Sequence, residues 1–100
     1  MAILLQEVFP EGVTVELLDA VTDELEIDVN LPPGFILHIH YEKDGRTRGI
    51  DIWESEEDYR SYLESALVPA LGKVAGERGL DFSQTGPPEE TISKIHRLVR

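Results

Sequence analysis

The chain has 100 residues, with 20 acidic against nine basic, a formal charge of −11 and no cysteine. That balance excludes a phosphate-backbone binder, which needs clustered Lys and Arg, and disfavours an anionic membrane surface. Without thiols there are no disulfides, no thiol catalysis and no thiolate metal site. The composition, 41% hydrophobic and 29% charged, is that of a folded domain. The start, MAILLQEVF, has no basic leader region, and no apolar run approaches a membrane span. The expectation is one soluble, cytoplasmic domain over 1–100, with no nucleic-acid or membrane partner.

Ala2 to Phe9 is a β-prone apolar run closed by the turn signal Pro10-Glu11-Gly12. Thr14 offers an N-cap. Leu17, Leu18, Val21 and Leu25 then recur at helical spacing, with Asp23, Glu24 and Glu26 mostly on a solvated face. Asp28 to Gly34 contains Pro32-Pro33, cannot continue a helix, and reads as a rigid connector. Phe35 to Glu42 and Arg48 to Trp53 alternate as strands about Asp44-Gly45, a hairpin signal. Ser55 with Asp58 three residues on starts a second helix, whose buried stripe is Tyr59, Tyr62, Leu63 and Leu67. Pro69 is expected to restart this helix at a first turn, and Gly79 to stop it. Leu80 to Glu90 reads as a loop and Thr91 to Val99 as the last strand. The order β-α-β-β-α-β is the ferredoxin-like α+β arrangement, an antiparallel sheet with helices on one face only.

The hairpin carries the candidate site. In the second strand Phe35, Leu37 and Ile39 share one side, and Ile36, His38 and His40 the other; in the third, Ile50 and Ile52 oppose Gly49, Asp51 and Trp53. Placing both aliphatic sets against the helices requires an even-length loop, because a one-residue slip flips every side chain. A two-residue turn at Asp44-Gly45 pairs Lys43 with Arg46 and sets His38 opposite Asp51, Ile36 opposite Trp53 and His40 opposite Gly49. A four-residue loop would set His38 opposite Trp53 and His40 opposite Asp51. Either way two histidines, a carboxylate and the only tryptophan gather on the face predicted to point away from the helices.

That cluster has three readings. A histidine facing an aspartate across a sheet is a favourable cross-strand pair worth a few tenths to about 1 kcal/mol. As chemistry, Asp51 would fix the His38 tautomer and raise its basicity, making a general base. As a metal site, His38 and His40 point the same way, with His96 as a third ligand, but HxH without a placed third ligand is a weak pattern. There is no Gly-rich phosphate loop and no Gly-x-Ser-x-Gly elbow.

At Trp53-Glu54-Ser55-Glu56-Glu57-Asp58-Tyr59, a Trp-x-Ser-x-Glu-x-aromatic run from strand into helix, the chain resembles the dimeric α/β-barrel superfamily. That superfamily includes antibiotic-biosynthesis-type and haem-degrading monooxygenases. The resemblance implies two ferredoxin-like subunits packed sheet on sheet, hence a homodimer, with a pocket for a small aromatic molecule. It maps the family's strand tryptophan onto Trp53. The family's helix histidine falls at Tyr62, and the first-strand asparagine of haem-degrading members has only Gln6 nearby, so haem is not implied and no cofactor is expected.

The leading expectation is a cofactor-independent monooxygenase acting on a flat aromatic or polyketide-like substrate. His38 is its base, Asp51 the orienting partner, His40 and Trp53 pocket walls, and Tyr62 a hydroxyl near the substrate. The alternatives are a non-catalytic accessory module with the histidine face as dimer interface, a cyclase or isomerase, and a metal-dependent enzyme using His38 and His40.

Overall fold

Backbone hydrogen bonding in the computed structural model, which describes residues 2–79 and 87–99, produces four strands and two helical segments. They run β1 (Ile3–Val8), α1 (Val15–Leu25), β2 (Phe35–Lys43), β3 (Arg46–Trp53), α2 (Glu56–Tyr62), α3 (Val68–Glu77) and β4 (Glu89–Lys94). The sheet is antiparallel in the order β2-β3-β1-β4. This is the ferredoxin-like topology, with the first strand in the interior of the sheet. Part of the expected loop from Leu80 to Glu90 lies outside the described residues.

The local signals behave as their chemistry dictates. Thr14 Oγ1 accepts the Leu17 N–H at 3.1 Å and Ser55 Oγ accepts the Asp58 N–H at 3.1 Å, satisfying one otherwise orphaned donor at each helix start. Asp44 and Gly45 take φ of 55° and 74°, the positive pair that a two-residue turn needs to match strand twist. Lys43 consequently pairs with Arg46, His38 with Asp51 and His40 with Gly49. The Thr47 hydroxyl donates to the Val13 carbonyl at 2.7 Å and Arg46 donates twice to the Phe9 carbonyl, tying the hairpin to the β1–α1 connection.

Three expectations need correction. The faces are reversed: Trp53 is 1% exposed against α2, while Leu37 and Ile39 are 36% and 46% exposed on the outer side. Alternation fixes which side chains share a face and says nothing about which face the helices cover. The large aromatics bury more area than the aliphatics, and the polar groups on their side find partners on α1. A register shift between Phe35 and Leu37 then pairs Phe35, not Ile36, with Trp53, and the two rings meet edge to face at 5.5 Å. Pro69 does fall in the first turn of α3, as expected, and the π-turn over Leu63–Leu67 that runs straight into α3 precedes this proline, which has no N–H to continue an α-ladder. Finally, β4 ends at Lys94 instead of Val99. Its partner β1 begins at Ile3, and among the described residues the last backbone bond between the two is from Ile95 N–H to the Ala2 carbonyl.

The helix-side core has two parts. Val13, Leu17, Leu18, Val21, Ala70 and Val74 pack α1 against α3, while Ile3, Leu5, Trp53 and Tyr59 pack the sheet against α2. Between them is a cavity.

Candidate functional site

The hairpin turn decides the geometry at the floor of that cavity. Since His38 and Asp51 are directly opposite, His38 Nδ1 comes within 2.5 Å of Asp51 Oδ1. Two residues further along β3 on the same face, the Trp53 indole N–H donates to Asp51 Oδ2 at 3.3 Å. Two residues along β2, His40 Nδ1 lies 3.0 Å from His38 Nε2, and His40 Nε2 lies 2.6 Å from Asp19 Oδ1 on α1. The hydrogen-bonded series Asp19–His40–His38–Asp51–Trp53 therefore runs from an exposed carboxylate to the cavity floor.

Proton counting constrains this series. If the outer nitrogens donate to the two carboxylates, His38 Nε2 and His40 Nδ1 would meet lone pair to lone pair in two neutral rings. The 3.0 Å contact is satisfied when the pair carries a third proton and one positive charge. Consistently, the His38 imidazole is raised above its ordinary value of 6.5: burial pulls it down, but the Asp51 hydrogen bond and the charges of Asp51 and Glu7 outweigh that. Both His38 ring nitrogens are occupied by protein groups, so a ligand reaches the pair through the Asp51 carboxylate.

The cavity holds about 330 Å³ and is mostly apolar. Leu18, Val21 and Leu25 of α1 wall one side; Leu63, Leu67 and Leu71 from the second helical segment wall another. His38, Asp51, Trp53 and Tyr62, all expected at the site, line it, with Tyr62 packed 5.5 Å from the Trp53 ring. His40, expected as a pocket wall, does not line it and stands behind His38. His96 lies beyond β4, exposed and apart from the pair. Burial, with the Asp51 charge, pushes the Tyr62 phenol upward, so Tyr62 offers a hydroxyl rather than a base near neutral pH.

Two lining carboxyls escaped the sequence reading. Glu7 follows Ile3 and Leu5 on the inward face of β1, flanked by Gly49 on β3 and Glu90 on β4. Burial, reinforced by the charges of Asp51 and Glu90, pushes its carboxyl up to about 7. Glu90 is itself occupied, accepting from the Tyr59 hydroxyl at 3.1 Å and from Arg60 at 2.6 Å.

No family model matches the chain, and no curated protein matches it. Its fold is matched by solved structures over nearly its whole length. SnoaB, a cofactor-independent oxygenase from Streptomyces nogalater, is 17% identical with a TM-score of 0.61, over 98% of this chain and 95% of that one. A monooxygenase from the gene ActVA-Orf6 of Streptomyces coelicolor, in complex with the ligand Nanaomycin D, is 17% identical with a TM-score of 0.64, over 99% and 91%. A conserved protein from Methanosarcina mazei Go1 is 13% identical with a TM-score of 0.63, over 94% and 92%. These likenesses establish a ferredoxin-like fold shared with antibiotic-biosynthesis-type monooxygenases, the superfamily that the Trp53 segment resembles, and they leave activity to be argued from the site.

Proposed function

We propose that this protein, as a single-domain homodimer, binds a flat aromatic molecule in the cavity and oxidises it as a cofactor-independent monooxygenase. The observation that carries the reading is the cavity itself, whose apolar helix walls lead to a polar floor where Asp51 stands between His38 and the Trp53 indole. A phenol lying between those walls, beside Trp53 and Tyr62, presents its hydroxyl to Asp51, which retains acceptor capacity. Its proton passes to Asp51 and on to His38 Nδ1 when the pair's two protons sit on His38 Nε2 and His40 Nε2, which leaves Nδ1 free to accept it. Dioxygen adds to the ring carbon para to the phenolate, and loss of water from the resulting hydroperoxide leaves a quinone. Phenol plus dioxygen gives quinone plus water: the ring supplies all the electrons and keeps one oxygen atom.

Support for the dimer comes from the outer sheet face, where Leu37, Ile39 and Tyr41 are exposed beside half-buried Ile50 and Ile52. A second copy packed sheet on sheet would cover that face. Two of the fold relatives are described as an oxygenase and a monooxygenase, which supports the reaction class at the level of fold.

Dioxygen uptake and quinone absorbance, followed over a panel of naphthols and anthrols, test the reading. Turnover of at least one member, reduced by about a hundredfold or more in Asp51→Asn with the fold intact, is expected. No uptake over the panel, or full activity in the variant, refutes it. One observation favours a second reading, a non-catalytic binding module: both His38 nitrogens are held by protein groups. In that case panel members bind without dioxygen uptake, and His38→Ala alters stability more than affinity.

A further inference from the structure

The donors and acceptors at the cavity floor are unevenly matched. Asp51 takes the His38 imidazole and the Trp53 N–H; Glu90 takes the Tyr59 hydroxyl and the Arg60 guanidinium. Those contacts direct the four groups to Asp51 and Glu90, and Arg60 also pairs with Glu56 at 3.5 Å. Among the described residues Glu7 has no hydrogen-bond or ion-pair partner, and no Lys or Arg lines the cavity. On one side of Glu7 is Gly49, which offers no polar side chain and where an added Cβ would meet the Phe9 ring at 3.5 Å; on the other is Glu90, a second carboxylate directly opposite it. An acidic group so placed lacks a cation, and like charges across strands make the lack worse.

Around the same cavity stands a contiguous set of aromatic rings. Trp53 lies 5.5 Å from Phe35, 5.8 Å from Tyr59 and 5.5 Å from Tyr62 by ring centroids, and all four rings line the cavity. A carboxylate in a cavity lined by aromatic and aliphatic side chains is the chemistry that selects an ammonium on an apolar body, through a charge-assisted hydrogen bond to the charge and burial of the body against the rings. A formal charge of −11 favours the approach of cations over anions.

We propose that the ligand of this cavity is a flat apolar molecule carrying a basic nitrogen, bound as the ammonium by the Glu7 carboxylate with its apolar body in the cavity that Trp53, Phe35, Tyr59 and Tyr62 line. The inference rests on the reading of the cavity as a small-molecule site and deepens it: Glu7 holds the charged end of the molecule, leaving Asp51 and His38 to the phenol. The groups facing Glu7 are Asp51 of β3, Glu90 of β4, His38 of β2 and Arg60 of α2, with Tyr59. Burial first, then the charges of Asp51 and Glu90, hold its carboxyl at about 7 against the opposing charges of His38 and Arg60, so an incoming ammonium near neutral pH expels the Glu7 proton.

The test is calorimetric titration with naphthylethylamine, naphthylethanol and naphthylacetate, which share one apolar body and differ in charge. At about pH 8, with Glu7 ionised, the amine is expected to bind about tenfold or more tighter than the alcohol, and the acetate about tenfold or more weaker. In Glu7→Gln the amine's advantage over the alcohol is expected to shrink to within about threefold, with circular dichroism unchanged. Near pH 6 the heat of amine binding to the wild type should vary with buffer ionisation enthalpy, reporting the released proton. An amine that binds no better than the alcohol, or keeps its advantage in Glu7→Gln, overturns the proposal while leaving the cavity reading intact. If none of the three binds, the cavity reading fails and this proposal with it.

Discussion

Replacing Glu7 by Gln should stabilise the protein, and only above a defined pH. Below pH 4.5 the carboxyl is protonated in native and unfolded chains alike, so it makes no difference there. As pH rises the unfolded chain ionises first, while the native carboxyl, inward-facing and set among Asp51 and Glu90, resists until about 7. A folded-state pKa raised in this way means that native stability is lost progressively between 4.5 and 7, then levels off. A carboxyl moved from 4.5 to about 7, at about 1.36 kcal/mol per pH unit, sets an upper limit of about 3 kcal/mol. Because the cavity admits water, and Gln does not reproduce a protonated acid, the working expectation is a gain of about 2 to 3 kcal/mol at pH 8. Urea unfolding of both proteins at about pH 4.5, 6 and 8, at one fixed protomer concentration, measures it. A stability difference that is the same at all three pH values would refute the account of Glu7 as an uncompensated inward carboxyl.

His38 should titrate above 6.5 in the wild type by NMR and lower in Asp51→Asn, where burial is opposed by the Glu7 charge alone. Since the folded value is the raised one, the stability contributed by the pair is fully present below 6.5 and is lost as pH rises through the native pKa. Gly34→Ala should cost about 2 to 3 kcal/mol in urea unfolding, for Gly34 sits at φ +81° and an added Cβ would lie 2.7 Å from the Asp58 Cβ. An unchanged midpoint would show that the β2 entry tolerates a side chain. Ile39→Glu places a charge in the middle of the outer sheet face, and should convert a dimer to a monomer by sedimentation velocity. A wild type that already sediments as a monomer would remove the sheet-on-sheet dimer.

Much of the fold was legible because its signals are local. Thr14 and Ser55 cap because their oxygens reach an N–H three residues on, and Asp44-Gly45 fixes register because few residue pairs adopt two successive positive φ values. From that turn the His38–Asp51 pairing follows by counting. What failed to follow depended on tertiary packing. Both faces of the hairpin carry large apolar side chains, so alternation could not say that Trp53 goes in and Ile39 stays out. No glycine or proline marks the irregularity that brings Phe35 beside Trp53. The length of β4 was set by where β1 begins, a fact about the partner strand and not about Thr91 to Val99.

Glu7 was missed for a different reason, since its signal was present. In β-α-β-β-α-β topology the first strand lies inside the sheet, and its inward face is core. Once Leu5 points inward, period two carries Glu7 inward with it, and a carboxyl in that position needs a partner. His38, His40 and Arg60 make direct contacts with Asp51, Asp19 and Glu90, but among the described residues no side chain contacts Glu7, which feels the charges of His38 and Arg60 only from a distance. The unmatched carboxyl costs the folded state stability near neutral pH, and a cation entering from outside would reverse that cost. The gain at pH 8 in Glu7→Gln and the loss of ammonium preference in the same variant are therefore two readings of one electrostatic deficit. Observing the first without the second would mean that the deficit is structural, relieved by water and not by a ligand.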